Sequence, residues 1–416
     1  MGVSPGNPLS PERKEILLEP VTSIHEELPL TDWARGVKRS MLQEMLEIVR
    51  RPGVLSFALG LPAPELFPKG QYAEACAQVL EKDANALQYG PSLRALKQHI
   101  VSLMALRGVA CGEGQIFLTA GAQQGMNLLM RLFLREGGRV LLEELAYPGF
   151  LQVISPYQPE MLAVPTDSRE GIDVEEVELL LRRGARPAAI YVVTDGHNPL
   201  GVSLPLEKRR RLVELARQYR TPIVEDDAYG FLYYEDEATP PLRALDEQWV
   251  FYIGSFSKIL APALRVGWLV VPESLMLALS IVKESSDIDT STFSQRAVSA
   301  FLDTGQLPSH LAMLRREYRA RRDIMQLALQ RYFPPQARWK APTSGLFIWV
   351  ELPEKIDVSR LVRVAVEEEK VAFIPGNAFS VIDSRRKANC IRLNFSNCDP
   401  ARIEEGIALI ARVLDR

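Results

Sequence analysis

The segment YIGSFSKILAPALRVGW, Tyr252 to Trp268, sets one lysine, Lys258, among small hydroxyl and apolar residues, with one arginine, Arg265, seven positions on. Surface lysines ordinarily keep company with other charges. Two readings are open: a half-exposed lysine closing a strand, or an amine kept poorly solvated so that it works uncharged, as a Schiff base or a general base. Other residues capable of chemistry fall at comparable places. Asp226, Asp227 and then Tyr229 follow TPIVE, while Asp195, His197 and Asn198 follow AAIYVVT. Ser255, Ser257 and Lys258 follow WVFYIG, and Tyr147 follows RVLLEE. TAGAQQGMNLL is a small-residue turn opening a helix, whose free amides suit a phosphate. Taken singly, these are equally solvated loop acids, a turn at Asn198-Pro199, a packing aromatic and a plain helix start. Taken together, they supply a phosphate cradle, a buried acid, an amide, an aromatic face and a lysine. That set is what a pyridine aldehyde bearing a phosphate requires.

The elements that must hold these residues alternate in type. Helix-like GAQQGMNLLMRLFLREG leads to a strand, RVLLEE, and VEEVELLLRRG leads to AAIYVVT. PLEKRRRLVELARQYR puts Leu212, Leu215, Ala216 and Tyr219 on one face, and TPIVEDD, WVFYIGS and RVGWLVV follow as strands. Short apolar runs alternating with amphipathic helices predict an α/β domain with a mostly parallel sheet, whose ligands bind outside the carboxyl ends of the strands. The residues singled out above all fall there. Beyond about Val282 come long helices, then LFIWVEL, VAFIPG and CIRLNFS, a smaller α+β domain. The expected organisation is an N-terminal arm over 1–30, a segment over 31–65 that joins the small domain, a large domain over 66–300 and a small one over 301–416. A helix is expected from Asp32 to Arg51, with Met41, Met45 and Ile48 on its apolar face.

Composition narrows the classes. With 416 residues, 47% of them hydrophobic, and a net charge of −3, the chain can bury a large core and carries no electrostatic footprint for nucleic acid or anionic membrane. The basic run Arg209 to Arg211 reads as a solvated helix face. No apolar run reaches membrane-spanning length, and the polar, Pro-rich start is unlike a signal peptide. Cys76, Cys111, Cys390 and Cys398 have neither metal-ligand nor disulfide-framework spacing. A reducing cytoplasm is expected, and no metal centre.

In order and spacing, SFALGLPAPELFP, LQYGP, TAGAQQG, HNPLG, VEDDAYGFLYYE, GSFSKILAPALRVGW, VAFIPG and IRLNFS resemble the fold-type I pyridoxal-phosphate enzymes of the class I/II aminotransferase group. Within that group they are similar to the 2-aminoadipate and kynurenine aminotransferase branch, from about Trp33 to the C-terminus. The resemblance implies a large domain with a mostly parallel seven-stranded sheet between helices, a smaller α+β domain, and pyridoxal 5'-phosphate as cofactor. It also implies roles. Lys258 would form the internal aldimine and then shuttle the proton, which requires its pKa to fall below the usual ~10.4. Asp226 would sit by the pyridine nitrogen, Asn198 and Tyr229 would bond the phenolic oxygen, and Tyr147 would stack on the ring. Ala122 and Gln123, joined by Ser255, Ser257 and Arg265, would hold the phosphate. Tyr89 would reach the phosphate of a neighbouring subunit, implying a homodimer with shared sites. Arg392 would grip the substrate α-carboxylate through a two-point fork, and Gly60 would line the substrate pocket.

Some positions depart from the family pattern. Leu200 stands where Thr is usual, His197 where an aromatic or Gln is common, and Leu59 where a second Gly is common. The loop after Tyr89 is short. His197 is either a polar lining residue or an extra acid/base group. The leading expectation is transfer of the α-amino group of an L-amino acid to a 2-oxo acid. The alternative is β/γ-elimination, replacement or carbon–carbon bond formation, because the cofactor permits all of these and the pocket selects. A ligand-sensing regulator is disfavoured, since about 30 extra residues cannot hold a winged helix. A nicotinamide-binding protein is disfavoured for want of a Gly-x-Gly-x-x-Gly turn. Arg35, Lys38 and Arg39 are candidates to meet a side-chain carboxylate. Without them, Leu59 and Leu200 would favour aliphatic or aromatic substrates.

Overall fold

A computed structural model describes residues 28–37, 41–49, 51–235, 237–382 and 387–415. The chain divides into Met1–Lys38 and Arg39–Arg416. The described part of the first unit holds a single helical turn, Asp32–Arg35, whose N-cap Thr31 accepts the Ala34 amide at 3.3 Å. In the second unit a helix spans Met41–Val49, with Met45 buried and Ile48 half-buried. The helix expected over 32–51 is therefore two described pieces. Gly36, which supplies no helix propensity, ends the first of them.

Alternating segments of the second unit build a seven-stranded sheet. Its strands are β1 (Ile116–Thr119), β2 (Arg139–Glu143), β3 (Glu160–Val164), β4 (Ala189–Val192), β5 (Ile223–Asp226), β6 (Val250–Ser255) and β7 (Gly267–Val270). The order is β1-β7-β6-β5-β4-β2-β3, parallel throughout except for β7, which runs antiparallel to both neighbours. The central strands are buried on both faces, which explains their continuous apolar text. Alternation still sorts the side chains. Val140, Leu142, Ala189 and Tyr191 pack with Met126, Leu129 and Met130 of helix α1 (Ala122–Phe133). Leu141, Ile190 and Val192 pack on the other face with Leu212, Val213 and Ala216 of α2 (Leu206–Tyr219). Helices on both faces leave the carboxyl ends of β4, β5 and β6 as the open rim.

The basic run on α2 corrects the sequence-based expectation. Arg210 and Arg211 pair with acids at the surface, but Arg209 is fully buried. It lies three and four residues before Leu212 and Val213, on the inward stripe. Its guanidinium donates to Asp195 Oδ1 at 2.7 Å and to the carbonyls of Thr194 and Pro240, both at 3.0 Å.

Two long helices, α3 (Leu307–Tyr332) and α4 (Pro400–Leu414), pack on each other beside a four-stranded antiparallel sheet. Its strands are β8 (Arg338–Trp339), β9 (Phe347–Glu351), β10 (Ile374–Pro375) and β11 (Cys390–Asn394), in the order β8-β9-β11-β10. Gly196 and Gly345 join this sheet to the rim of the larger one. Both have positive φ (+57° and +78°), and a Cβ on Gly196 would lie 2.6 Å from the Gly345 Cα. Only glycine at both places lets the two loops touch.

Candidate active site

The lysine that opened the sequence question follows β6 directly. Lys258 Nζ donates to the Gly60 carbonyl at 2.8 Å. Burial, then the positive charges of Arg265 and Arg392, bring its pKa down to about 8. The amine is thus partly uncharged near neutrality, as a nucleophile or base requires. Asp226, the last residue of β5, is 5% exposed, and burial lifts its carboxyl to about 6. Tyr191, one strand over on β4, donates its hydroxyl to Asp226 Oδ2 at 2.8 Å, while Oδ1 has no partner. A buried carboxyl oxygen left open in this way calls for a donor.

Arg392 projects from β11, paired across the sheet with Trp349 and Ile374. Its Nη1 donates to Asn198 Oδ1 at 2.6 Å and its Nη2 to the Ala58 carbonyl, while its buried Nε has no partner. The guanidinium lies over the rings of Phe347 and Phe379, 4.3 Å and 4.7 Å from their centroids. Burial brings its pKa down to about 10. The Tyr147 and Tyr229 phenols are both pushed up by burial, and both sense the charges of Asp226 and Arg392. Lys258, Asp226, Arg392, Tyr147, Tyr229, Asn198 and Gly60 therefore form one cluster at the sheet rim.

A second part of the site is the start of α1. Gly121, with φ +88°, precedes Ala122 and Gln123, whose amides open the helix without an acceptor inside it. Arg265 donates to the Ala120 carbonyl at 2.8 Å, and a Cβ on Gly121 would lie 2.5 Å from its Nη2. A glycine in left-handed backbone therefore lets the guanidinium reach the helix start. Ser257 donates its amide to Ser255 Oγ at 3.1 Å, which holds both hydroxyls beside Lys258. The Gln123 carboxamide donates to the Gly149 carbonyl at 2.7 Å. Tyr89 stands apart, 81% exposed. These residues fit pyridoxal 5'-phosphate: an open acid oxygen for the ring nitrogen, a helix start with arginine and two hydroxyls for the phosphate, and a buried low-pKa amine for the aldehyde.

Several partners escaped the reading of the sequence. Tyr191 was visible only as a strand residue, although a tyrosine in a strand buried on both faces needs a hydrogen-bond partner. Asp195 does not join the cluster. It accepts from Arg107 Nη2 at 2.8 Å and pairs with Arg209, and Arg107 also meets Asp227, 3.2 Å away. Asp227 accepts the Tyr252 hydroxyl at 2.9 Å. Both ring nitrogens of His197 are engaged: its Nε2 meets Glu143 at 2.9 Å and its Nδ1 accepts the Leu200 amide at 3.4 Å. Leu59 and Leu200 share one buried cluster with Trp349 and Phe379. Arg35 is exposed on the helical turn of the first unit, while Lys38 and Arg39 lie outside the described residues.

Known proteins agree with this chemistry. Residues 65–410 match the family "Aminotransferase class I and II". Aromatic-amino-acid aminotransferase 1 of Thermococcus litoralis is 37% identical over 92% of this chain and 93% of its own length. The 2-aminoadipate transaminase of Thermus thermophilus is also 37% identical, over 92% of this chain and 95% of its own. Among solved structures, the kynurenine aminotransferase of Pyrococcus horikoshii, in complex with PMP, superposes with a TM-score of 0.87 at 35% identity, covering 93% of this chain and 96% of that one. The chain belongs to the class I and II aminotransferases, fold-type I enzymes that use pyridoxal 5'-phosphate to transfer amino groups.

Proposed function

We propose that Lys258 is the residue that holds the cofactor and moves the proton at the substrate Cα, and that the donor is an L-amino acid with an aromatic or aliphatic side chain. Pyridoxal 5'-phosphate supplies an aldehyde that captures amines and a ring that takes up the electron pair left at Cα. The chain's own groups do the rest. Asp226, whose Oδ1 has no partner, would accept the ring N–H. Asn198 and Tyr229 bond the phenolic oxygen, and Tyr147 covers the ring. Ala122, Gln123, Ser255, Ser257 and Arg265 hold the phosphate. Arg392 turns its open Nε and one further N–H on the α-carboxylate, a planar fork matched to two oxygens. Gly60 anchors the resting amine through its carbonyl, and a Cβ there would lie 2.6 Å from the Phe347 ring, so the close approach needs glycine. The buried Lys258 amine, held down to about 8 beside an acid with one open oxygen, carries this reading.

The donor class rests on the apolar cluster of Leu59, Leu200, Trp349 and Phe379 beside Arg392. A single-turnover panel tests it: holoenzyme mixed with single amino acids and no acceptor, with the cofactor absorbance and the products followed. Phenylalanine and leucine are expected to convert the cofactor to its amine form and release the matching 2-oxo acids. Conversion by 2-aminoadipate with no response to either would overturn the donor class. A product formed while the cofactor stays an aldehyde would move the chain to elimination or replacement chemistry.

The same reading includes a homodimer in which Tyr89 serves the neighbouring phosphate, supported by the exposure of Tyr89 (81%) and of adjacent Leu87 (78%). It also includes a large domain over 66–300 with a small one over 301–416, and a cytoplasmic setting, consistent with four unpaired cysteines. No helix among the described residues is long and apolar enough to cross a membrane.

A further inference from the structure

Behind the Asn198 turn lies a buried pair that the assigned roles do not use. Glu143 closes β2 and His197 lies in the loop after the neighbouring strand β4; they are 4% and 3% exposed. His197 ties the turn in three ways. Its amide donates to the Val202 carbonyl at 2.8 Å, its carbonyl accepts the Gly201 amide at 2.6 Å, and its Nδ1 accepts the Leu200 amide at 3.4 Å. The last bond exists only when Nδ1 carries no proton. The ring proton must then sit on Nε2, which points at Glu143 Oε2, 2.9 Å away. The partner of one ring nitrogen thus sets what the other can do. The residue enclosed by these bonds is Asn198, whose Oδ1 meets Arg392 Nη1.

We propose that Glu143 is a positioning residue for the substrate-carboxylate grip. By selecting the His197 tautomer that holds the Leu200 amide, it fixes where Asn198 Oδ1 anchors the Arg392 fork. The proposal rests on the reading that Arg392 and Asn198 face the substrate. Packing alone does not account for an acid at this place. Glu143 Oε1 has no protein partner, and the carboxyl borders a small cavity, roomy enough for about one water, whose other walls include Ile172, Val192, Val202 and Leu204. An apolar residue could fill the same walls, but it would leave the buried His197 Nε2–H without an acceptor, at a cost in stability. A positioning role is therefore separated from a bracing one by the ring tautomer and by a loss of substrate affinity that cofactor affinity does not share.

The test uses full-length Glu143→Leu and Glu143→Gln. In Glu143→Leu, the melting temperature is expected to fall because the buried Nε2–H loses its acceptor, while the folded variant keeps its cofactor affinity and its amino-acid affinity falls about tenfold, the usual order for losing an outer partner of a site residue. Glu143→Gln keeps an acceptor for Nε2–H and is expected to restore most of that affinity. Nitrogen chemical shifts of His197, identified by the signal lost in His197→Gln, should show a bare Nδ1 and a protonated Nε2 in the wild-type chain and a loss of that preference in Glu143→Leu. The opposite tautomer in the wild-type chain, or a Glu143→Leu variant that loses cofactor and amino-acid affinity to the same extent, would overturn the proposal. Arg392→Ala separates the two layers of the argument. If it weakens amino-acid binding and Glu143→Leu does not, the positioning role fails alone; if Arg392→Ala leaves affinity unchanged, the reading beneath it fails.

Discussion

Burial lowers the Lys258 pKa and two guanidinium groups lower it further, so removing one of them has a predictable sign. Capture of pyridoxal phosphate by the apo-chain needs the uncharged amine, so its rate should climb with pH through a midpoint near 8. Arg392→Gln removes one positive charge that opposes protonation, so the midpoint should move upward, toward the ordinary lysine value. A stopped-flow pH series on both proteins checks this, and a midpoint that stays or falls would remove Arg392 from the electrostatics of the amine. Lys258, Asp226, Asn198 and Tyr147, which the structure brings together, were legible from sequence because they end or follow strands, where an α/β sheet offers its ligands. Tyr191, Glu143 and Phe379 were not. Their partners, Asp226, His197 and Arg392, lie 35, 54 and 13 positions away in sequence and meet them only once strand order and sheet packing are fixed.

At the scale of elements, α2 shows how periodicity informs and misleads. Leu212, Leu215 and Ala216 face the sheet as their spacing required, with Tyr219 half-buried at the edge of the face. Arg209 shares that inward stripe, and hydropathy reads any arginine as outward. What overrides it is Asp195, buried at the end of β4, whose carboxyl is held below its ordinary range by Arg209 and Arg107 against the pull of burial. Arg209→Ala leaves that acid short of a partner and should destabilise the chain by about 3–5 kcal/mol. Arg210→Ala, one residue on and at the surface, should leave the denaturation midpoint where it is. Equal effects of the two substitutions in urea titrations would contradict the buried network. The α/β alternation, the sheet and its parallel sense were all legible, because each central strand had to be apolar on both faces. The break between Asp32–Arg35 and Met41–Val49 was not, since the apolar spacing at Met41, Met45 and Ile48 says nothing of where the helix begins.

At the scale of the whole molecule, the proposed homodimer has Tyr89 serving the phosphate of the neighbouring subunit. Two weak variants, Lys258→Ala and Tyr89→Ala, should then rescue each other. In a hybrid dimer, the intact Tyr89 of the first chain faces the intact Lys258 of the second. Refolding the two together in equal amounts should restore about a quarter of wild-type sites, since half the dimers are hybrids and each has one intact site. Activity no greater than the mean of the separate variants would place Tyr89 outside any shared site. This arrangement was read from a motif, LQYGP, and one chain adds only the exposure of the tyrosine to it.

The most direct test of the central claim is chemical. Holoenzyme reduced with borohydride, digested and mapped by mass should carry the phosphopyridoxyl group on the peptide containing Lys258 and nowhere else, and Lys258→Ala should lose turnover by more than about a thousandfold while keeping its fold. A label on another lysine, or substantial turnover without Lys258, would contradict the account.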